Sequence, residues 1–106
     1  MNEMATVSAS TRGETTTILV QGEIDMANAA DVHSDVLTAC GDGPWVVIDL
    51  GGVTYLDSAG IRVVSELQRR FHEQGRTLVF AIPEQATCRR VLELTLPDLP
   101  IIGTHQ

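Results

Sequence analysis

Apolar and polar positions along this chain follow two alternating periods, and together they mark out a succession of short strands and helices. Thr6–Ser10 reads as a modest strand ended by Arg12-Gly13. Thr15–Gln21 is rich in β-branched residues, stops at Gly22, and reads as a firm strand. The short turn at Gly13 joins the two as a hairpin. After Asp25, the residues Ala29, Val32, Val36 and Cys40 recur at steps of three and four, the apolar stripe of a helix. Gly41-Asp42-Gly43-Pro44 stops that helix.

Trp45–Leu50 is a continuous apolar run suited to a strand in mid-sheet. Gly51 and Gly52 loosen the chain, and Val53–Leu56 leads into a second helix that starts near Asp57 or Ser58 and stops at Gly75. At roughly 100° per residue, Gly60, Ile61, Val64, Leu67, Gln68 and Phe71 share one side of it, and Ser58, Arg62, Ser65, Glu66, Arg69 and Glu73 share the other. Ser58 is thereby expected at the exposed rim of a helix start. Thr77–Ile82 is a further strand, closed by Pro83. Glu84 to about Thr95 reads as a third helix with Val91, Leu92 and Leu94 apolar, and Ile101-Ile102 forms a short last strand. The order predicts an α/β domain spanning 1–106, its core about 5–102. It is a mixed sheet of about four or five strands packed with about three or four helices.

Charge narrows the function. Fourteen acidic residues oppose seven basic ones, all arginines, for a net charge of −7. Nucleic acid and anionic membrane both require a concentrated basic surface, so neither fits, whereas a partner with a basic docking surface does. The pairs Arg69-Arg70 and Arg89-Arg90 read as solvated helix faces. Cys40 and Cys88 read as buried reduced thiols, and His33, His72 and His105 are scattered singly, so no metal site is expected. Met1–Ser10 lacks the features of a signal peptide, and no apolar run reaches the ~20 residues of a membrane span, which points to a cytoplasmic protein without membrane insertion.

Enzyme chemistry around Ser58 fails on spacing. A nucleophile elbow requires a glycine two residues before the serine, where Leu56 stands. A phosphate-binding loop requires a lysine, and the chain has none. In Asp57-Ser58-Ala59-Gly60, the inserted Ala59 breaks the Asp-Ser/Thr-Gly pattern of aspartic proteases. No catalytic residue and no cofactor are expected.

The stretch Val47–Ile61, containing Asp49-Leu50-Gly51-Gly52-Val53 and Leu56-Asp57-Ser58-Ala59-Gly60-Ile61, resembles the signature of STAS domains, in particular the anti-sigma factor antagonists, or anti-anti-sigma factors. These read Asp-Leu-Ser-x-Val-x-x-apolar-Asp-Ser-Ser/Thr-Gly-Leu/Ile. A second block, Gly22-Glu23-Ile24-Asp25, matches the family's Gly-Glu-Leu-Asp before the first helix, and the order of elements agrees over about residues 5 to 102. The resemblance implies partner switching. The unmodified antagonist binds an anti-sigma factor that is also a serine kinase and so frees a sigma factor. The kinase then phosphorylates the serine after the motif aspartate, here Ser58, and the complex dissolves. A metal-dependent serine phosphatase resets it. Asp25, Asp57, Ser58, Ala59, Gly60, Ile61, Arg62 and Val63 are the partner-binding candidates. Ala59 and Gly51 depart from the family pattern, and a C-terminal helix that many relatives add is expected to be missing. The alternative is a STAS-type docking subunit of a membrane transporter or lipid-trafficking ATPase, or a stress-complex scaffold.

Physical chemistry supports Ser58 as a switch. Unpaired amides and the positive dipole end at a helix start favour a phosphoserine, and Arg62 stands one turn on to pair with it. About two added negative charges beside Asp57 and Asp25 would oppose a docked partner without unfolding the domain. Asp25 reads either as the cap of the first helix or as a neighbour of the phosphosite. Gly60 reads as a close backbone approach, Ile61 as facing the apolar side, and Val63 as an exposed docking contact.

Overall fold

The computed structural model describes residues 4–103; the predicted domain's ends, His105 among them, lie outside the described residues. Strands β1 (Ala5–Arg12) and β2 (Thr15–Ile24) form the expected antiparallel hairpin. Gly13 takes φ +62°, a left-handed conformation that glycine adopts freely, in a two-residue loop. Helix α1 (Ala29–Ala39) follows, then β3 (Trp45–Leu56), α2 (Ser58–Glu73), β4 (Thr77–Ala81), α3 (Thr87–Thr95) and β5 (Ile101–Ile102). The strands form one five-stranded sheet in sequence order, with β1 antiparallel and the others parallel. This is the mixed α/β architecture that the segment order predicts, with three helices among the described residues.

The alternation along β2 is sharp: Thr16, Ile18 and Val20 are buried, while Thr15, Thr17 and Leu19 are half-buried. The inward residues join Val46, Ile48 and Leu50 of β3 and Phe80 of β4 in one core cluster, which also receives Val32 and Val36 of α1, Leu67 and Phe71 of α2, and Cys88 and Leu92 of α3. Each fully buried aliphatic or aromatic side chain contributes about 1.5–3 kcal/mol, so this cluster orders the helices on the sheet. At the far end of α2, Arg76 ties down the C-terminus of α1. Its Nε donates to the Gly43 carbonyl at 2.8 Å and its Nη2 to the Cys40 carbonyl at 3.1 Å, and its guanidinium lies 4.8 Å from the Phe71 ring centroid.

Two sequence expectations change. Gly51 and Gly52 do not end β3, which runs on to Leu56. The reason lies in β2, whose register against β3 shifts between Leu19 and Gln21 and again between Gly22 and Glu23. The glycines sit in that irregular stretch, and the ladder resumes with Glu23 opposite Tyr55 and Ile24 opposite Leu56. Helix α3 starts at Thr87, not Glu84, because Pro83–Ala86 closes a turn in which Ala86 N–H donates to the Pro83 carbonyl at 2.9 Å. It buries Cys88 and Leu92, one turn apart, and leaves Val91 and Leu94 outward, the latter 71% exposed.

Candidate functional site

The parallel register of β2 and β3 sets the two motif blocks side by side. Ile24 and Leu56 pair at the strand ends, so Asp25 and Asp57 leave the sheet at the same end of these two parallel strands. The loop after β2 is closed by its own side chains. Asp25 Oδ1 accepts from Ala27 N–H at 2.9 Å, and Asn28 Oδ1 accepts from Asp25 N–H at 2.9 Å. Asn28 Nδ2 donates back to the Glu23 carbonyl at 2.8 Å, and the Asp25 carbonyl accepts from Ala29 N–H at 2.8 Å. Asn28, not Asp25, holds the cap position of α1, so Asp25 acts as a turn-former beside α2 and does not cap the first helix. Asn28 is only 5% exposed, which makes it a structural member of the site that the sequence reading passed over. Its signal was the Asp-x-x-Asn spacing just ahead of the apolar stripe.

At the other block, Asp57 takes an extended backbone and caps α2. Its Oδ1 accepts from Ala59 N–H at 2.9 Å and Gly60 N–H at 3.1 Å, and its Oδ2 accepts from Met26 N–H at 3.2 Å. Its own N–H donates to the Ile24 carbonyl at 3.3 Å. Ser58 is the first helical residue and is exposed. Gly60 is buried where α2 meets the end of β2: a Cβ there would lie 3.1 Å from the Ile24 carbonyl oxygen and 2.5 Å from Leu56 Cδ1. The expected close approach of backbone is therefore real.

These positions revise the sequence reading in two places. The amides of Ala59 and Gly60 are already satisfied by Asp57, so a phosphate on Ser58 would meet a capped helix start and would not find two free donors. What remains favourable is the helix dipole and Arg62, which is exposed and has no ion-pair partner among the described residues. Val63, read as an exposed docking contact, is 6% exposed and lies in the core. The buried side of α2 comprises Gly60, Val63, Val64, Leu67 and Phe71, and Ile61 is half-buried at its margin, as is Ala59. In Val63's place the site presents Met26, 82% exposed, and Tyr55, 51% exposed, neither of which the sequence reading singled out.

The surface so formed carries a hydroxyl on a helix rim, acidic groups at Glu23, Asp25 and Asp57, and two large exposed side chains. Hydrogen bonds through Asp25, Asn28 and Asp57 tie its loop to the start of α2. Among the described residues no group of three His, Cys, Asp or Glu is placed to hold a metal ion. None of the described helices is long and apolar enough to cross a membrane.

Comparison with known proteins gives concordant results. A family model described as "Mlab, STAS domain" matches residues 7–99. Among solved structures, an anti-sigma factor antagonist from Mycobacterium paratuberculosis is 25% identical, with a TM-score of 0.80 over 94% of this chain and 86% of that one. The fold is shared with the anti-sigma factor antagonist SpoIIAA in its unphosphorylated form, at 15% identity and a TM-score of 0.72 over 95% of this chain and 90% of that one. It is shared too with a serine-to-glutamate variant of RsbS from Moorella thermoacetica, at 18% identity and a TM-score of 0.72 over 94% and 88% of the two chains.

Proposed function

We propose that this chain, which belongs to the STAS domain family, acts as an anti-sigma factor antagonist that is switched off by phosphate on Ser58. The observation that carries the reading is the exposed Ser58 hydroxyl at the first position of α2, flanked by the ordered acidic loops of Asp25 and Asp57. The likeness to the antagonist from Mycobacterium paratuberculosis supports the same role.

In this reading the unmodified chain binds an anti-sigma factor with serine kinase activity in the cytoplasm and releases a sigma factor. Docking covers the start of α2 and the loop after β2. The kinase places about two negative charges on Ser58, next to carboxylates that already face the partner. Burying charge without compensation costs several kcal/mol, and 1.4 kcal/mol already changes affinity tenfold, so the complex dissociates while the domain stays folded. A metal-dependent serine phosphatase removes the phosphate and restores binding.

The test is incubation with candidate anti-sigma kinases and ATP, followed by mass mapping and binding measurements. Ser58→Ala should lose the label and keep binding, and Ser58→Asp should weaken binding. Equal labelling of Ser58→Ala and the parent would show the site to be misassigned.

A further inference from the structure

Met26 is the most exposed large apolar residue among the described residues, at 82%. Single apolar side chains on a surface are ordinary, but this one sits on a fixed mount. Its backbone N–H is held by Asp57 Oδ2 at 3.2 Å, from a residue 31 positions away, and the next residue's N–H is held by Asp25 Oδ1 at 2.9 Å. Asn28 closes the loop from the inside through Asp25 N–H and the Glu23 carbonyl. Side-chain acceptors thus fix the loop's backbone while its thioether side chain stands out in water beside the phosphoacceptor's helix. Leu94, 71% exposed, stands on α3, outside the two motif blocks.

We infer that Met26 is the apolar anchor of the docking surface and inserts into an apolar pocket on the anti-sigma factor that is rimmed by basic side chains. This rests on the proposed antagonist function and names the partner's chemistry at that same surface. The charge of the rim follows from what adjoins Met26: Asp25 and Asp57 hold its loop, Glu23 just ahead of it is exposed, and the chain as a whole carries −7, with Arg62 the exposed cation one turn along α2. A flexible thioether fills an irregular pocket well, and a loop ordered beforehand loses little freedom on binding. Asp57 serves here as a positioning residue, setting the loop from which Met26 projects.

The test measures binding of the purified anti-sigma factor to the parent, Met26→Ala, Met26→Leu and Met26→Glu, with thermal melting of each variant as the folding control. Met26→Ala should bind at least tenfold more weakly and Met26→Leu within about threefold of the parent. Met26→Glu should bind more weakly than Met26→Ala, because it carries a charge into the apolar pocket. All should melt with the parent, the side chain being outside the core. Raising salt should weaken the parent's binding, as a basic rim facing acidic groups requires. A parent that binds together with a Met26→Ala that binds equally well overturns the anchor and leaves the antagonist function standing. A parent that binds no anti-sigma factor overturns both.

Discussion

The Asp57 carboxylate holds Met26 and the first turn of α2 at once: Oδ2 accepts from Met26 N–H at 3.2 Å while Oδ1 accepts from Ala59 and Gly60. One side chain therefore couples the loop after β2 to the helix that carries Ser58. Neither block of sequence positions the surface by itself. The parallel pairing of Ile24 with Leu56 brings them together, and Asp57 fixes their relation.

Removing that carboxylate should loosen both parts. Asp57→Ala deletes a helix cap, which costs about 1 kcal/mol and up to about 2. For a domain of this size each kcal/mol lowers the melting temperature by about 4–8 °C. Asp57→Asn keeps an acceptor for Ala59 and Gly60 and should lose less than half as much. Thermal melting of the pair checks this, and equal losses would mean that charge, not capping, is what Asp57 contributes.

Ser58→Asp should leave stability nearly unchanged. The side chain is exposed, the added charge sits at the positive end of the helix dipole, and Arg62 is one turn away. Against this, Asp57 is adjacent and already occupies the amides of Ala59 and Gly60. The opposing effects are each below about 1 kcal/mol at an exposed site, so melting should shift by only a few degrees. A much larger drop would mean that modification acts by unfolding, and the electrostatic account of switching would fail.

Arg62 and Val63 are neighbours in sequence with opposite roles. Val63→Ala removes buried methyl groups and should cost about 1–3 kcal/mol in denaturant unfolding. Arg62→Ala should fall within about 0.5 kcal/mol of the parent in the same experiment, since its side chain is exposed and unpaired among the described residues. If Val63→Ala were as stable as the parent, the assignment of this residue to the core would be wrong.

The sequence disclosed what local rules control. The β-hairpin, the α1 stripe through Val32 and Val36, and the α2 limits at Asp57 and Gly75 all follow from periodicity and stop residues. Features set by tertiary neighbours stayed hidden. Val63 looked marginal because a helical wheel shows one stripe, whereas α2 meets α1 as well as β3 and β4 and so buries a wider arc. Gly51-Gly52 looked like a break because their partner strand's irregularity was invisible. Met26 and Asn28 drew no notice because a loop's hydrogen bonds, not its hydropathy, decide what it displays.

Gly22 should be intolerant of any side chain. It has φ +102°, and a Cβ would lie 1.9 Å from the Met4 carbonyl oxygen, a backbone atom that cannot swing aside. Gly22→Ala combines backbone strain with a clash, each of order 1–3 kcal/mol, and should destabilise by about 2 kcal/mol or more in denaturant unfolding. Gly13→Ala, also at positive φ but with nothing within 4 Å of its Cβ, should lose less. Equal losses at the two glycines would show that φ alone matters and that the close approach of the Met4 and Ala5 backbone does not.

The alkaline limit of stability should depend on Cys88. The residue is 2% exposed, and burial pushes the thiol pKa above its ordinary value of 9.0, opposed in part by a backbone hydrogen bond. The thiol donates to the Leu50 carbonyl at 3.7 Å, a contact that requires the proton. Below pH 9.0 both the folded and the unfolded chain keep that proton, and the contribution is fully present. As pH rises past that value the unfolded chain releases the proton while the folded chain holds it, so unfolding is favoured by up to about 1.4 kcal/mol per pH unit until the raised pKa is reached. Denaturant unfolding at pH 8 and pH 10 should therefore show a larger loss for the parent than for Cys88→Ala, whose baseline is lower because of the cavity but whose slope lacks this group. In the native state the thiol should also resist alkylation at pH 8, because the reactive thiolate is disfavoured there. A parent and a variant with equal alkaline slopes would show that the thiol of Cys88 titrates alike in both states.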